Sequence, residues 1–417
     1  MTNKDHSPLL TSQARAVLLI LSILVIAVGA LLLVRGRHPR AIAPMESPTS
    51  MPAASRPVGA QHAVIPSPRA NSTDTVEVCG YGRVQMDKSD AGAVFQQVGA
   101  FTRGAGMRWL SALQNSGDLR ARMAGLLLEG KITGSGSLRP FAEQTRNEAV
   151  QLAAGTGDPA VYAMALSMCG SSAVTDADSA CRLLSLQQWA RMDPDNAVPW
   201  LLLAGKARAS HDDAAEADAF SHAATAHKID AYSDSVLAFA EPELPRDVTP
   251  LERSYLATEV IGVETATGLP HYSIASQHCS SNVMQDSTVR RQCDALAELL
   301  ITKGTNLLDL GIGKTIGERA GWPSERVRQF VLEQHALMQA IMLQSPSDND
   351  KLWSCDALSR VNAYVIQRVR LGELGAARDA LERSGETVEA MAQKYTQSIE
   401  KIRRDALGQE NSTETAR

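Results

Sequence analysis

The most restrictive feature of this chain lies near its N-terminus, where Ala16–Val34 reads AVLLILSILVIAVGALLLV without one charged residue. As a helix, about 19 residues rising ~1.5 Å each cover ~28 Å, the thickness of a bilayer's hydrocarbon layer. The expectation is a retained transmembrane helix at 16–34, preceded by a short tail at 1–15. A cleaved signal peptide would carry a shorter apolar stretch ending in small residues, whereas this one runs directly into Arg35, Arg37 and Arg40.

The segment after the span cannot build a core. Residues 35–75 hold Pro39, Pro44, Pro48, Pro52, Pro57, Pro66 and Pro68 among Ala and Ser, with almost no large apolar side chains. Such a composition gives a disordered, semi-stiff tether. It either holds the folded part away from the bilayer so that it reaches a partner, or serves as a passive spacer.

From residue 76 to about 410 the pattern changes. Only 4% of the 417 residues are aromatic while Ala and Leu abound, which suits close-packed helices better than strands. Apolar residues recur at helical spacing in Met107, Leu110 and Leu113, and again in Leu119, Met123, Leu126 and Leu127, with Asn115–Gly117 as the break. Further helices are predicted near 140–155, 158–170, 178–192, 196–210, 213–228, 250–266, 286–303, 305–320, 323–343 and 350–405. The one β-like stretch is VEVCGYGRVQM at Val76–Met86, read as a short extended piece. The fold class is therefore all-α: helical hairpins stacked as an irregular α-solenoid, after one transmembrane helix and a disordered linker, and closed by a disordered tail at 411–417.

One stretch carries a family signature. In MDPDNAVPWLLLAGKARASHDDAAEADAFSHAATA, Trp200, Leu203 and Ala204 precede a polar turn at His211–Asp213, followed by Phe220 and Ala223. This spacing resembles a tetratricopeptide repeat, with Pro194 closing one unit and Trp200 opening the next. The resemblance covers one unit and half of another. Glu216 stands where the family carries a small Ala, and the 34-residue period does not continue on either side. Hairpins of this type bury their apolar faces only by stacking on neighbours, so the resemblance implies a surface suited to a protein or peptide.

A second repetition is offset by about 110 residues. Tyr162, Cys169, Ser171, Ser172 and Cys181 correspond to Tyr272, Cys279, Ser280, Ser281 and Cys293. The spacing predicts disulfides Cys169–Cys181 and Cys279–Cys293, each stapling a helical hairpin and contributing about 3 kcal/mol by the chain-entropy argument. Cys79 and Cys355 remain to tie the first ordered segment to a late helix. Zinc is the rival reading, because His271 and His278 lie close to Cys279 and Cys293, but the first copy has no such histidines.

Six cysteines with no CxxC pair suit an oxidising compartment, while Lys4 and Arg15 against Arg35, Arg37 and Arg40 favour a cytoplasmic C-terminal side. A large domain crosses against a weak charge bias, so the expected location is the inner membrane with the domain in the periplasm. Free thiols would instead indicate a cytoplasm-facing anchor.

Other signals give little chemistry. Gly311-Ile312-Gly313-Lys314-Thr315 ends like a phosphate-binding loop, but Leu308 stands where its first glycine belongs and the flanks read as helix. His211, Asp212, Asp213, Asp218 and His222 cluster around one turn, as solvated helix ends commonly do. HExxH, GxSxG and CxxCH are absent. With a net charge of −5 and no like-charge block, nucleic acid is not an expected partner. The expectation is a scaffold without cofactor, metal or catalytic residues, touching the bilayer through 16–34 and a protein or peptide through the face opposite Trp189, Trp200 and Phe220. The alternative is an all-α envelope enzyme acting on cell-wall glycan with carboxylates assembled by the fold.

Overall fold

The computed structural model describes residues 74–86, 91–133, 141–170, 180–267, 270–344 and 352–414. The tail at 1–15, the apolar span at 16–34 and the linker through residue 73 lie outside the described residues. Among those described, no helix is long and apolar enough to cross a membrane. The chain divides into two compact units, residues 1–75 with 85–94, and residues 76–84 with 95–417. The first is described only at the outer ends of two strands and in one helical turn; the second holds the helical stack.

Strands β1 (Asp74–Val78) and β2 (Gly82–Met86) form a two-stranded sheet. Val76 and Val78 are buried while Glu77 between them is exposed, the period-two alternation of a strand with one covered face. Helix α1 (Ala91–Gln114) then buries Val98, Thr102, Ala105, Trp109 and Leu113 on one face, with Trp109 Nε1 donating to Ala240 O at 2.9 Å. Met107, expected in the apolar stripe, is 45% exposed, because the covered face is centred on Trp109 two residues on. Helix α2 (Leu119–Thr133) is buried from Met123 through Leu128 without interruption. A helix apolar on all sides belongs inside, and α2 packs against four other helices: α3 (Glu143–Ala154), α4 (Pro159–Cys169), α8 (Val236–Ala240) and α9 (Pro250–Thr267).

The remaining helices are α5 (Leu186–Met192), α6 (Ala197–Ala209), α7 (Asp213–Thr225), α10 (Pro270–His278), α11 (Ser287–Lys303), α12 (Leu307–Ala320), α13 (Ser324–Met342), α14 (Cys355–Ser384) and α15 (Val388–Glu414). The single helix expected at 350–405 is two, separated at Gly385, whose φ of 69° ends α14 in the left-handed conformation that favours glycine. The helix expected at 178–192 is a 3₁₀ turn (Ala180–Leu183) followed by the shorter α5.

Helices α6 and α7 form a hairpin that packs on the pair α10 and α11, with α6 against α10 and α7 against α11. The row continues through α12 and α13 to α15. Consecutive stacking is broken once: α8 and α9 leave the row and pack on α2 and α14. The sequence marks the departure with Pro242, which lacks a backbone N–H and ends α8 after five residues, and with Pro250, which opens α9.

The 110-residue offset extends well beyond the cysteines. Asn196 caps α6 and Asn306 caps α12, each accepting from the backbone N–H two residues on. At the hairpin turns, His211 (φ 57°) and Gly321 (φ 99°) hold the same left-handed position, again 110 apart. The hairpins α6–α7 and α12–α13 are therefore two copies of one unit, each preceded by a disulfide-bearing segment. Disulfides join Cys169 to Cys181 and Cys279 to Cys293, both with Cα atoms 5.7 Å apart, and Cys79 to Cys355 at 4.8 Å. The last fastens the β-hairpin to the start of α14, where Cys79 N also donates to Trp353 O at 2.9 Å.

Candidate functional site

Buried polarity in the helical stack concentrates where α9, α10, the α11–α12 turn and α14 meet. The site is built on Asn306, whose side chain accepts from the Leu308 and Asp309 N–H groups at 2.9 and 3.1 Å. Asp309 reaches back in a capping box, its Oδ2 accepting from Thr305 N at 2.7 Å and Asn306 N at 3.3 Å. Its Oδ1 accepts from the Tyr272 hydroxyl on α10 at 2.9 Å. Gly304 makes this possible: a Cβ there would stand 2.4 Å from the Asp309 Cβ and 2.2 Å from Leu300 O.

Asp234, in the 3₁₀ turn Ser233–Ser235, accepts from Thr305 Oγ1 at 2.5 Å and Asn306 Nδ2 at 3.3 Å. Glu264 near the end of α9 accepts from Leu237 N at 2.8 Å and from Arg368 on α14 at 2.9 Å. Arg368 bridges onward to Glu373 at 3.0 Å, and Glu373 accepts from Leu307 N at 3.2 Å. Between Arg368 and Glu373, Gly372 (φ 71°, ψ 178°) kinks α14, and Leu374 N donates to Thr305 O at 3.1 Å. The kinked helix is thus pinned to the turn that starts α12.

Arg368 is bonded to Glu264 and Glu373, whereas Asp309 is held by the Thr305 and Asn306 N–H groups and the Tyr272 hydroxyl, with Asp234 close by. Burial pushes Asp309 up to about 7, against the backbone N–H of Thr305 and with Asp234 adding to the rise. Glu264 is likewise pushed up to about 7 by burial, opposed by Arg368. Asp230 rises to about 6 by burial and the neighbouring Asp234. The Tyr272 hydroxyl is held well above its ordinary range by burial and Asp309, while burial depresses His271, beside it, to about 4.

The sequence-derived candidates fall elsewhere. Phe220 and Trp189 are core residues, and Trp200 is half-buried, its ring stacked on His222 at 4.2 Å and its Nε1 donating to Pro194 O at 2.9 Å. Glu216, the departure from the tetratricopeptide pattern, bonds to Arg208 and faces His278 Nδ1 at 2.9 Å, so it links α7 to the end of α10. His278 also stacks on Phe220 at 3.6 Å. With Cys279 bonded to Cys293 and His278 turned to Glu216, the zinc reading loses its ligands to other contacts. His211 forms the left-handed hairpin turn and Asp212 caps α7 through Ala215 N at 3.0 Å, which accounts for that acidic cluster as turn chemistry. Gly311–Thr315 lies inside α12, where a Cβ on Gly313 would press Ile301 and Leu300 at 2.9 Å. Among the described residues, no group of three or more His, Cys, Asp or Glu side chains could hold a metal ion.

The junction itself left no mark along the sequence. Asn306 with Asp309 is a legible helix-start signal, but nothing local ties it to Asp234, Glu264 or Arg368. No protein-family profile, curated protein or solved structure matches this chain.

Proposed function

We propose that this protein is a membrane-anchored helical-repeat scaffold whose stacked hairpins dock a protein or peptide partner in the cell envelope. The observation that carries this reading is the head-to-tail stacking of two copies of one hairpin, α6–α7 and α12–α13, joined through α10–α11. Repeats packed side by side through one core offer the solvent a periodic row of helices, the arrangement by which solenoids hold extended partners. The three disulfides and the apolar span at 16–34 support an inner-membrane anchor with the domain in the periplasm. The buried carboxylates support a structural role over glycan cleavage: both oxygens of Asp309 and of Glu264 accept hydrogen bonds from their own chain.

The test is site-specific photo-crosslinking in the full-length protein in its native membrane. A photoreactive residue at the exposed positions Lys206 and Glu318, on the two hairpin copies, is expected to trap the same distinct protein, while one at Glu400 on α15 is not. The absence of any adduct at Lys206 and Glu318, or equal adducts at all three positions, overturns the reading.

A further inference from the structure

The three disulfides are of two kinds. Cys169–Cys181 and Cys279–Cys293 join residues 12 and 14 apart, and all four cysteines are buried, at 6% exposure or less. Cys79–Cys355 spans 276 residues, and although Cys79 is buried, Cys355 lies exposed at the start of α14. Thiol–disulfide exchange requires a thiolate to reach one of the two sulfurs, so access separates this bond from the other two.

The two sides of the exposed bond are also held very differently. On the α14 side, Ala357 and Leu358 are buried, and the Asn362 side chain accepts from Ser254 Oγ at 3.0 Å and donates to Pro250 O at 2.9 Å. Ser354 caps the helix by accepting from Ala357 N at 3.3 Å. These contacts hold the helix start whether or not the disulfide is closed. On the other side stands a two-stranded sheet, which has little stability of its own. Its segment 76–84 is docked by the buried Val76 and Val78, by the Tyr81 ring stacked on Phe101 at 4.8 Å, and by Cys79 N donating to Trp353 O. The covalent bond therefore joins a lightly docked element to a firmly seated one.

We propose that Cys79–Cys355 is a thiol–disulfide exchange site for a dithiol reductant, a clasp whose opening loosens the β-hairpin from α14 while the two short staples stay closed. One thiolate of the reductant attacks Cys355 Sγ; the Cys79–Cys355 bond breaks, and Cys79 Sγ leaves as a thiolate that takes up a proton. The second thiol of the reductant then attacks its own partner sulfur in the mixed disulfide and displaces Cys355, which is protonated in turn. The dithiol ends as a disulfide, and its two electrons and two protons reside on Cys79 and Cys355. The hairpin then depends on two valines, one ring stack and one backbone hydrogen bond.

The test treats the full-length protein in lipid nanodiscs with dithiothreitol at neutral pH without denaturant, alkylates the freed thiols over time and maps them by mass spectrometry. Cys79 and Cys355 are expected to be freed at least about tenfold faster than the other four cysteines. Hydrogen exchange after this reduction should rise about tenfold at 76–84 and stay unchanged at 357–364 and over α6–α7. Cys79→Ser with Cys355→Ser should show the same local rise without reductant. A reduced thioredoxin whose second active-site cysteine is replaced by serine is expected to be captured as a mixed disulfide on Cys355. Equal reduction rates for the three bonds, earlier opening of either short bond, capture on Cys79 or not at all, or unchanged exchange at 76–84 after reduction each overturns the proposal. All four are read on the native chain, so they hold even if the double serine variant does not fold.

Discussion

The caps of α6 and α12 are the same device in two copies, yet their surroundings differ in one charge. At the first, Asn196 accepts from Val198 N at 3.2 Å and its amide donates to Asp193 at 2.8 Å and to Asp230 O at 2.7 Å. The acid beside it, Asp193, receives the Lys228 ammonium at 3.0 Å and the Tyr232 hydroxyl at 2.9 Å. At the second, Asn306 is flanked by Asp309, which also receives a tyrosine hydroxyl, but its remaining donors are the Thr305 and Asn306 N–H groups and the Thr305 hydroxyl. Both copies bury a carboxylate beside a capping asparagine; only the first supplies a cation in direct contact. A repeat can thus keep its backbone geometry while the partners of its buried carboxylate change, from an ammonium in the first copy to backbone and hydroxyl donors in the second.

The most severe way to break the comparison is to remove a staple from one copy. The paired replacements Cys169→Ser with Cys181→Ser, and Cys279→Ser with Cys293→Ser, open loops of nearly equal length, with separations of 12 and 14 residues. Each should cost about 3 kcal/mol, seen as matching shifts in urea unfolding midpoint. A clear inequality would show that the two segments are not equivalent supports. Next in size is Gly304→Ala, which drives a methyl group onto Leu300 O and Asp309. It should destabilise by about 2–3 kcal/mol, with hydrogen exchange rising first at the α12 start. Pro194 stands at the equivalent place of the first copy, 110 residues earlier, so Pro194→Ala meets no forced approach of that kind and should leave exchange at the α6 start nearly unchanged.

Lys228→Met sharpens the contrast by removing the cation that distinguishes the first copy. Because the lysine is 41% exposed, the loss in stability should be only about 1 kcal/mol. The telling readout is hydrogen exchange at residues 193–198, which should lose protection while 303–310 stays unchanged. If exchange at 193–198 is unmoved, the lysine is not what holds the first cap. The smallest effect concerns the turns: His211→Gly places at the first hairpin the residue type that the second uses at Gly321. Relief of the left-handed backbone strain should outweigh the added chain entropy by a few tenths of a kcal/mol up to about 1 kcal/mol, measured as a small rise in unfolding midpoint.

Much of the architecture was legible from local pattern. The periodicity of Leu, Ala and Met set out most helices from α3 to α13, and the break at Asn115–Gly117 falls between α1 and α2 as expected. The paired Tyr and Cys residues marked an internal repeat whose caps and turns the structure reveals. Where pattern misled, competing local effects were at work. α10 hid behind Pro270 and a mixture of Ser, His and Gln too short for a helical period to emerge, and the expected long helix at 350–405 ran over Gly372 and Gly385. Met107 falls outside the buried stripe, which runs through Ala105, Trp109, Leu110 and Leu113.

By itself the sequence determined the all-α class, helices near 158–170, 196–210, 286–303 and 305–320, the polar turn at His211–Asp213, and the spacing of the cysteines. Each of these rests on interactions within one helix, one turn or one short loop, where residue type and position suffice. Only the tertiary structure decided that α7 packs on α11 with α8 and α9 set aside, that Asp234 and Asp309 meet at Thr305, and that Arg368 joins Glu264 to Glu373. Those contacts join residues up to 104 positions apart, as in Arg368 with Glu264, so no periodicity along the chain encodes them. They arise because stacking apolar faces fixes where the polar helix ends must meet, and burial there gives ordinary carboxylates their shifted chemistry.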